Sequence, residues 1–229
     1  MCGRYKLQDP EWVEADFSTA FPTLSDAVRR PRYNVAPGQL ILAVRQLGSA
    51  RTLEEFRWGV EAPWKGGPPQ LINARAEKLA DNRLWKPMLE SRRCAIPADG
   101  FYEWKAPDAK GAPKRPYLFT RNGGEGFWFA GLYSEGSEDQ QCVVITVEPN
   151  ELVEGVHNRM PAMLARDRLE AWLSDDVHEA RGVLDPFPST EMSALEIGRA
   201  IGNASREGPE LIEPAPPEGP EGAQASLLD

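Results

Sequence analysis

Six short runs of β-branched and aromatic residues follow one another along the chain, each bounded by Gly, Pro or Asn. They are Leu40–Arg45, Thr52–Gly59, Arg93–Pro97, Tyr117–Thr120, Gly126–Tyr133 and Gln141–Val147. Such residues suit a pleated, half-buried surface, and the flanking turn formers end each run after a few positions. Helical spacing is confined to Pro10–Phe17, Ala76–Glu90, Asn150–Val156, Arg166–Leu173 and Glu191–Ile201. At the first of these, Asp9 reads as the N-cap, Pro10 as a first-turn residue and Glu11 as an acid at the positive dipole end. The sum is an α+β single domain with a curled, barrel-like mixed sheet and peripheral helices.

That domain is expected over residues 1–214. The run EPAPPEGPEGAQASLLD, from Glu213, is rich in Pro, Gly, Ala and acid, so residues 215–229 read as a disordered tail. A chain of 229 residues that is 41% hydrophobic and 27% charged buries a sizeable core. No run approaches the roughly 18 apolar residues of a membrane helix. Met1-Cys2-Gly3-Arg4 leads into a polar segment, not a signal peptide, and the expectation is a cytoplasmic monomer. Three cysteines, at 2, 94 and 142, are too scattered for a disulfide framework or a Cys-based zinc site. With only His157 and His178 besides, no metal and no cofactor is expected. The net charge is −9, yet residues 204–229 hold six acids against Arg206, leaving −4 for the rest. Any contact with phosphates must therefore be a local basic patch.

Four dense segments carry reactive side chains. Removal of Met1 would expose Cys2, whose amine (pKa about 8) and thiol (about 8.5) both react near neutral pH. With an aldehyde, such a pair closes to a thiazolidine ring; the bland reading is a chance small residue at a floppy terminus. In Leu71-Ile72-Asn73-Ala74-Arg75, Asn73 could hold an amine or sugar oxygen and Arg75 a phosphate. Equally, Asn73 could be a helix N-cap and Arg75 a solvated side chain. Trp64, in a Pro/Gly-rich loop, is either core or a platform for a base. In Phe101-Tyr102-Glu103-Trp104, a strand would put Glu103 with Phe101 on one face and Tyr102 with Trp104 on the other. Glu103 is then an acid/base with a pKa raised by desolvation, or a carboxylate on a wet face. His157, ending a short helix, is a proton shuttle or a dipole-stabilised helix end, and Arg159 two residues on could bind phosphate. Cys94 reads as a buried apolar residue and His178 is given no role.

Together these segments resemble the SRAP family of abasic-site crosslinking proteins. The likeness rests on MCGR at the start, RYNVAPG (32–38), LINARAEK (71–78), RCAIPADGFYEWK (93–105) and HNRMPAML (157–164), with a weaker echo in IGNASREGPELIEP (201–214). The resemblance implies a β-rich domain whose site gathers Cys2, Asn73, Glu103 and His157. In it Cys2 bonds the aldehyde of a ring-opened abasic sugar in single-stranded DNA, with lyase-like Schiff-base chemistry. Asn73 positions the N-terminus, Glu103 does acid/base work and His157 assists proton transfer at the sugar oxygen. Arg4, Arg75, Arg83 and Arg159 are the implied phosphate ligands and Trp64 the stacking residue. The implied place of action is the cytoplasm, on the nucleoid when DNA is damaged. Asn158 departs from the acid expected after the histidine. Two rival readings use the same residues: a thiol autopeptidase or peptidase acting through Cys2, and a non-covalent reader of DNA junctions.

Overall fold

The computed structural model describes residues 2–16, 24–48, 50–61, 71–107, 109–135 and 140–216. In chain order, β1 (Tyr5–Leu7) leads to α1 (Glu11–Asp16), α2 (Asp26–Arg29) and β2 (Arg32–Val35). The hairpin β3 (Leu40–Leu47) and β4 (Ala50–Trp58) is followed by β5 (Asn73–Arg75), a 3₁₀ turn at Ala76–Lys78 and α3 (Trp85–Ser91). Then come β6 (Arg93–Ala98), β7 (Gly100–Lys105), β8 (Arg115–Arg121), β9 (Phe127–Glu135) and β10 (Gln140–Val147). The chain closes with α4 (Glu151–Glu154), β11 (Met160–Pro161), β12 (Met163–Leu164), α5 (Arg166–Leu173), α6 (Val177–Arg181) and β13 (Met192–Glu196). All six strand-like runs form strands, with ends shifted by one or two residues.

Two sheets result. In the larger, β10, β4, β3, β6 and β9 pair in succession and β9 pairs back onto β10, closing a ring of five strands. The β10–β4 contact is parallel and the others are antiparallel, so the sheet is mixed as expected. At Gly131 on β9, a Cβ would lie 3.0 Å from Cys94 Sγ, Ile96 Cδ1 and the Val143 carbonyl, so any larger residue would push β6 and β10 apart slightly. The smaller sheet runs β13-β8-β7-β1-β2, antiparallel throughout. Tyr5 ties the two together, with its ring edge-on to Trp58 (5.4 Å) and to Phe129 (5.6 Å). Its outer face carries a second apolar cluster of Tyr102, Leu118, Ile197, Ile201 and Leu211.

Helices cover the ring through one stripe each. Trp85, Met88 and Leu89 of α3 and Leu169, Trp172 and Leu173 of α5 are buried, both at i, i+3, i+4 spacing. Arg93 joins the two helix ends: its buried guanidinium donates to Leu89 O and Glu90 O in the last turn of α3 and to Ser174 O just after α5, while Nε donates to Trp172 O at 2.9 Å. A cation there satisfies orphan carbonyls and meets the negative end of each dipole. At α1, Asp9 accepts from Glu11 N–H at 3.1 Å, the capping role its sequence suggests.

Two helical expectations fail for physical reasons. Ala76–Glu90 is not one helix, because Pro87 deep inside it would lack its donor and strike the carbonyl of Arg83. The chain instead restarts at Asn82, whose Oδ1 accepts from Leu84 N–H (2.9 Å) and Trp85 N–H (3.3 Å), leaving Pro87 in a first turn that tolerates it. Glu191–Ile201 contains β13, paired with β8 at every position from Met192 to Glu196. Pairing along a sheet edge overrides a weak helical pattern. The expected tail beyond Pro216 lies outside the described residues.

A buried ion pair fixes the turn between β6 and β7. Lys6 Nζ lies 2.7 Å from Asp99 Oδ1, with the side chains 8% and 5% exposed. Asp99 Oδ2 also accepts from Gln8 N–H (2.6 Å) and Asp9 N–H (3.1 Å). Asp99→Ala strands a buried ammonium and two donors, so denaturant unfolding should show a loss of about 3–5 kcal/mol. The double variant Lys6→Met/Asp99→Leu should recover most of it, since no buried charge is then left alone.

Candidate active site

The site is built where β10 ends. Its first half pairs with β4 and its second half with β5, in parallel, with Val144 opposite Asn73 and Thr146 opposite Arg75. On the other edge, Thr146 and Val147 pair with Pro161 and Met160 of β11. One strand end thus carries the Asn73 segment on one flank and the His157–Arg159 segment on the other. Asn73 is therefore a strand residue, not a helix cap. From the smaller sheet, the N-terminal segment runs beside β7, with Tyr5 opposite Phe101 and Tyr102 N–H donating to Arg4 O at 3.0 Å. This brings Cys2 to Glu103.

The four residues picked out in the sequence share this place. Asn73 Nδ2 donates to the Cys2 carbonyl at 2.8 Å, and its Oδ1 is buried with no hydrogen-bond partner. His157 Nδ1 lies 3.8 Å from Glu103 Oε1. Glu103 is 2% exposed and lies on the Phe101 face, while Tyr102 and Trp104 pack in the second cluster behind it. The alternation read from the sequence holds, but both faces are covered, so the wet-face reading of Glu103 fails. Burial pushes its carboxyl up to about 7, against the pull of the N-terminal charge and of Lys114. The Cys2 thiol, fully buried, is raised by desolvation and further by the charge of Glu103. Burial also lowers His157, assisted by the positive charges of the N-terminus and Lys114 and opposed by its bond to the Arg159 carbonyl. Near neutral pH the site holds a thiol, a neutral imidazole and a carboxyl poised between its two forms, which suits proton transfer.

His157 closes the turn after α4 with its N–H on Val153 O at 2.8 Å, the helix-end position expected of it. Its Nδ1 lies between Arg159 N (3.1 Å) and Arg159 O (3.0 Å). Beside it opens a groove of about 760 Å³ lined by Arg75, Glu148, Glu154, His157, Asn158 and Arg159. Of the expected phosphate ligands, Arg75 and Arg83 are exposed. Arg4 instead donates to Asn34 Oδ1 (2.8 Å) and Ile201 O (2.8 Å), holding the 201–206 segment with help from Asn34, whose Nδ2 donates to Asn203 O and Arg206 O. Arg159 is buried in a two-pronged pair with Glu77, at 3.2 and 2.9 Å. Trp64 lies outside the described residues. Lys114, whose charge reaches both Glu103 and His157, was not singled out from the sequence; a lone lysine in a polar turn gives no signal there.

The model of the SOS response associated peptidase (SRAP) family matches residues 1–204. The chain belongs to the SRAP family. Among SRAP relatives, the abasic site processing protein YoqW of Bacillus subtilis is 36% identical over 93% of this chain and 99% of its own length. The abasic site processing protein YedK of Escherichia coli is 30% identical over 80% and 84%. A crystal structure of a Bacteroides thetaiotaomicron protein shares the fold, with a TM-score of 0.78 at 21% identity over 93% of this chain and all of that one. In this SRAP chain, no helix among the described residues is long and apolar enough to cross a membrane, and the described residues hold no metal-binding cluster.

The raised carboxyl has a consequence for stability. The folded state binds the Glu103 proton more tightly than the unfolded chain, so this group's contribution falls as pH rises from about 4.5 through about 7. Glu103→Gln removes the cost of a buried charge. It should be more stable than the wild type above pH 7, by up to about 3 kcal/mol, and level with it near pH 4. Urea unfolding across that range checks this; a pH-independent difference would show that Glu103 keeps an ordinary pKa.

Proposed function

We propose that the chain recognises abasic sites in single-stranded DNA and captures them covalently through Cys2 after loss of Met1. The observation that carries this reading is the meeting at one strand end of Asn73 bonded to the Cys2 backbone and Glu103 beside His157. Relatives matching 93% of the chain are named as abasic site processing proteins.

In the proposed mechanism Asn73 holds the Cys2 main chain, and its second polar atom, Oδ1, receives the freed amine or the opened sugar. The amine lone pair attacks C1′ of the aldehyde, giving a carbinolamine. Glu103 in its acid form protonates the departing hydroxyl, water leaves, the nitrogen returns a proton to the Glu103 carboxylate and an imine remains. The Cys2 sulfur then bonds to the same carbon and the thiol proton passes to the nitrogen, closing a thiazolidine with one water released overall. His157 relays protons at the sugar ring oxygen as the hemiacetal opens. Arg75 and Arg83 serve the phosphates while Arg4 and Arg159 are engaged within the fold, and Trp64 stacks on a base. Single strands supply the bendable, exposed sugar at least cost. Residues 1–214 act as a monomeric unit with 215–229 outside it, in the cytoplasm and on damaged nucleoid DNA.

The peptidase reading draws on the family's description. It needs Cys2 as a thiolate nucleophile, and burial pushes that thiol the other way. Imine chemistry begins with the amine and escapes this penalty.

The test is denaturing electrophoresis of Met1-free protein with single-stranded DNA carrying one abasic site. A heat-stable adduct is expected with the abasic strand, none with the intact strand, and none with Cys2→Ser, which keeps the amine but lacks the ring-closing sulfur. Borohydride should still trap a reversible imine on Cys2→Ser. An adduct that survives Cys2→Ser without reduction, or no adduct from a protein whose N-terminus is proven to be Cys2, sinks the proposal.

A further inference from the structure

We propose that Glu77 is a positioning residue that acts through Arg159 to hold the imidazole of His157 against Glu103. The inference rests on the abasic-site reading for its rate measurement and on geometry alone for its spectroscopic one.

Arg159 makes two kinds of contact at once. Its backbone N and O bracket His157 Nδ1 at 3.1 and 3.0 Å. Its guanidinium is held by Glu77 through two parallel bonds, Nη1 to Oε1 at 3.2 Å and Nη2 to Oε2 at 2.9 Å, and by the Thr146 carbonyl at 2.6 Å. A two-pronged pair of this kind fixes orientation as well as distance. Thr146 is the β10 residue that pairs with Arg75 on one edge and Pro161 on the other. Glu77 sits in the 3₁₀ turn directly after the β5 strand that bears Asn73. The pair therefore clamps together the two flanks of β10, and with them the Asn73 and His157 segments.

Without Glu77 the guanidinium keeps only the Thr146 carbonyl, and the His157–Arg159 turn loses its tether to the opposite flank. The imidazole faces Glu103 on β7, Lys114 before β8 and the N-terminal charge, and the Arg159 backbone N–H and carbonyl set its orientation among them. Arg159 in this arrangement is a structural cation, not an open phosphate ligand. Its pairing also accounts for Glu77, whose carboxyl, though burial pushes it up, is held below the ordinary value by its own backbone N–H, by Arg159 and by the charge of Arg75.

The test compares full-length wild type, Glu77→Gln and Glu77→Asp, all with Cys2 exposed. Single-turnover crosslinking to an abasic single strand gives a saturating rate and a half-saturating concentration. Glu77→Gln should slow the saturating rate about tenfold, the scale expected of a displaced catalytic group. Half-saturation should stay within about twofold, since arginine–phosphate contacts are untouched. Glu77→Asp should recover part of the rate. Carbon-edited NMR of the two histidines should show His157 broadened in Glu77→Gln while His178 is unchanged. If half-saturation falls and the saturating rate holds, Glu77 competes with phosphate for Arg159 and the proposal is overturned. If wild type makes no Cys2-dependent adduct, the abasic-site reading has failed; an unaltered His157 signal in Glu77→Gln then overturns the positioning role by itself.

Discussion

The second half of β10 is paired on both edges, and the site follows from that. Val144, Ile145 and Thr146 take β5 in parallel on one side, while Thr146 and Val147 take β11 on the other. β5 and β11 are only three and two residues long, too short to stand as independent strands. They exist because β10 is fixed within the ring by β9 and β4. Backbone pairing thus sets Asn73 and the His157 turn in register with each other across a separation of more than 80 residues, before any side chain is considered. The smaller sheet completes the arrangement, since the β1–β7 pairing sends the N-terminus past Glu103.

Burial at this place works against folding and for chemistry. A carboxyl between two apolar clusters costs free energy once ionised, and a thiol with no exposed surface is slow to lose its proton. The same desolvation brings Glu103 near neutrality and keeps His157 uncharged, so neither proton carrier is locked in one form. Asn73 Oδ1, left without a partner, belongs to the same pattern. A buried acceptor that the fold does not satisfy is a place where a donor from the N-terminus or a ligand gains a full hydrogen bond.

How much of this was legible in the sequence depended on the range of the interaction. The five strands of the ring and β8 were readable because β-branched residues between turn formers are a local signal. The face-by-face reading of Phe101-Tyr102-Glu103-Trp104 also needed only the period of a strand. What the sequence alone did not reveal was set by pairing at a distance. β5 and β13 owe their existence to strands far away in the chain, β10 and β8, and β11 to β10 across the α4 turn; β13 looked helical in isolation. Asn73 looked like a cap for the same reason. The grouping of Cys2, Asn73, Glu103 and His157 came from the resemblance of ordered motifs, and no spacing within the chain would have produced it. Arg4, implied as a phosphate ligand by the resemblance, and Arg159, read as one from its residue type, both turn inward, onto Asn34 and Glu77.

That inward turn bears on how an acidic chain can serve DNA. With Arg4 and Arg159 engaged, Arg75 and Arg83 are the exposed members of the set, and Glu148 and Glu154 line the same groove as Arg75. On the proposed reading, two phosphate contacts release few counterions, so the encounter is weak and falls only shallowly with salt. A reader that relied on equilibrium affinity would be poorly served by such a surface. A chain that ends its encounter in a covalent bond needs affinity only long enough for the amine to find an aldehyde, and intact strands, which offer none, dissociate. Weak electrostatic attraction then contributes to selectivity, because discrimination is moved from the phosphates, which every strand has, to the aldehyde, which only the damaged one presents.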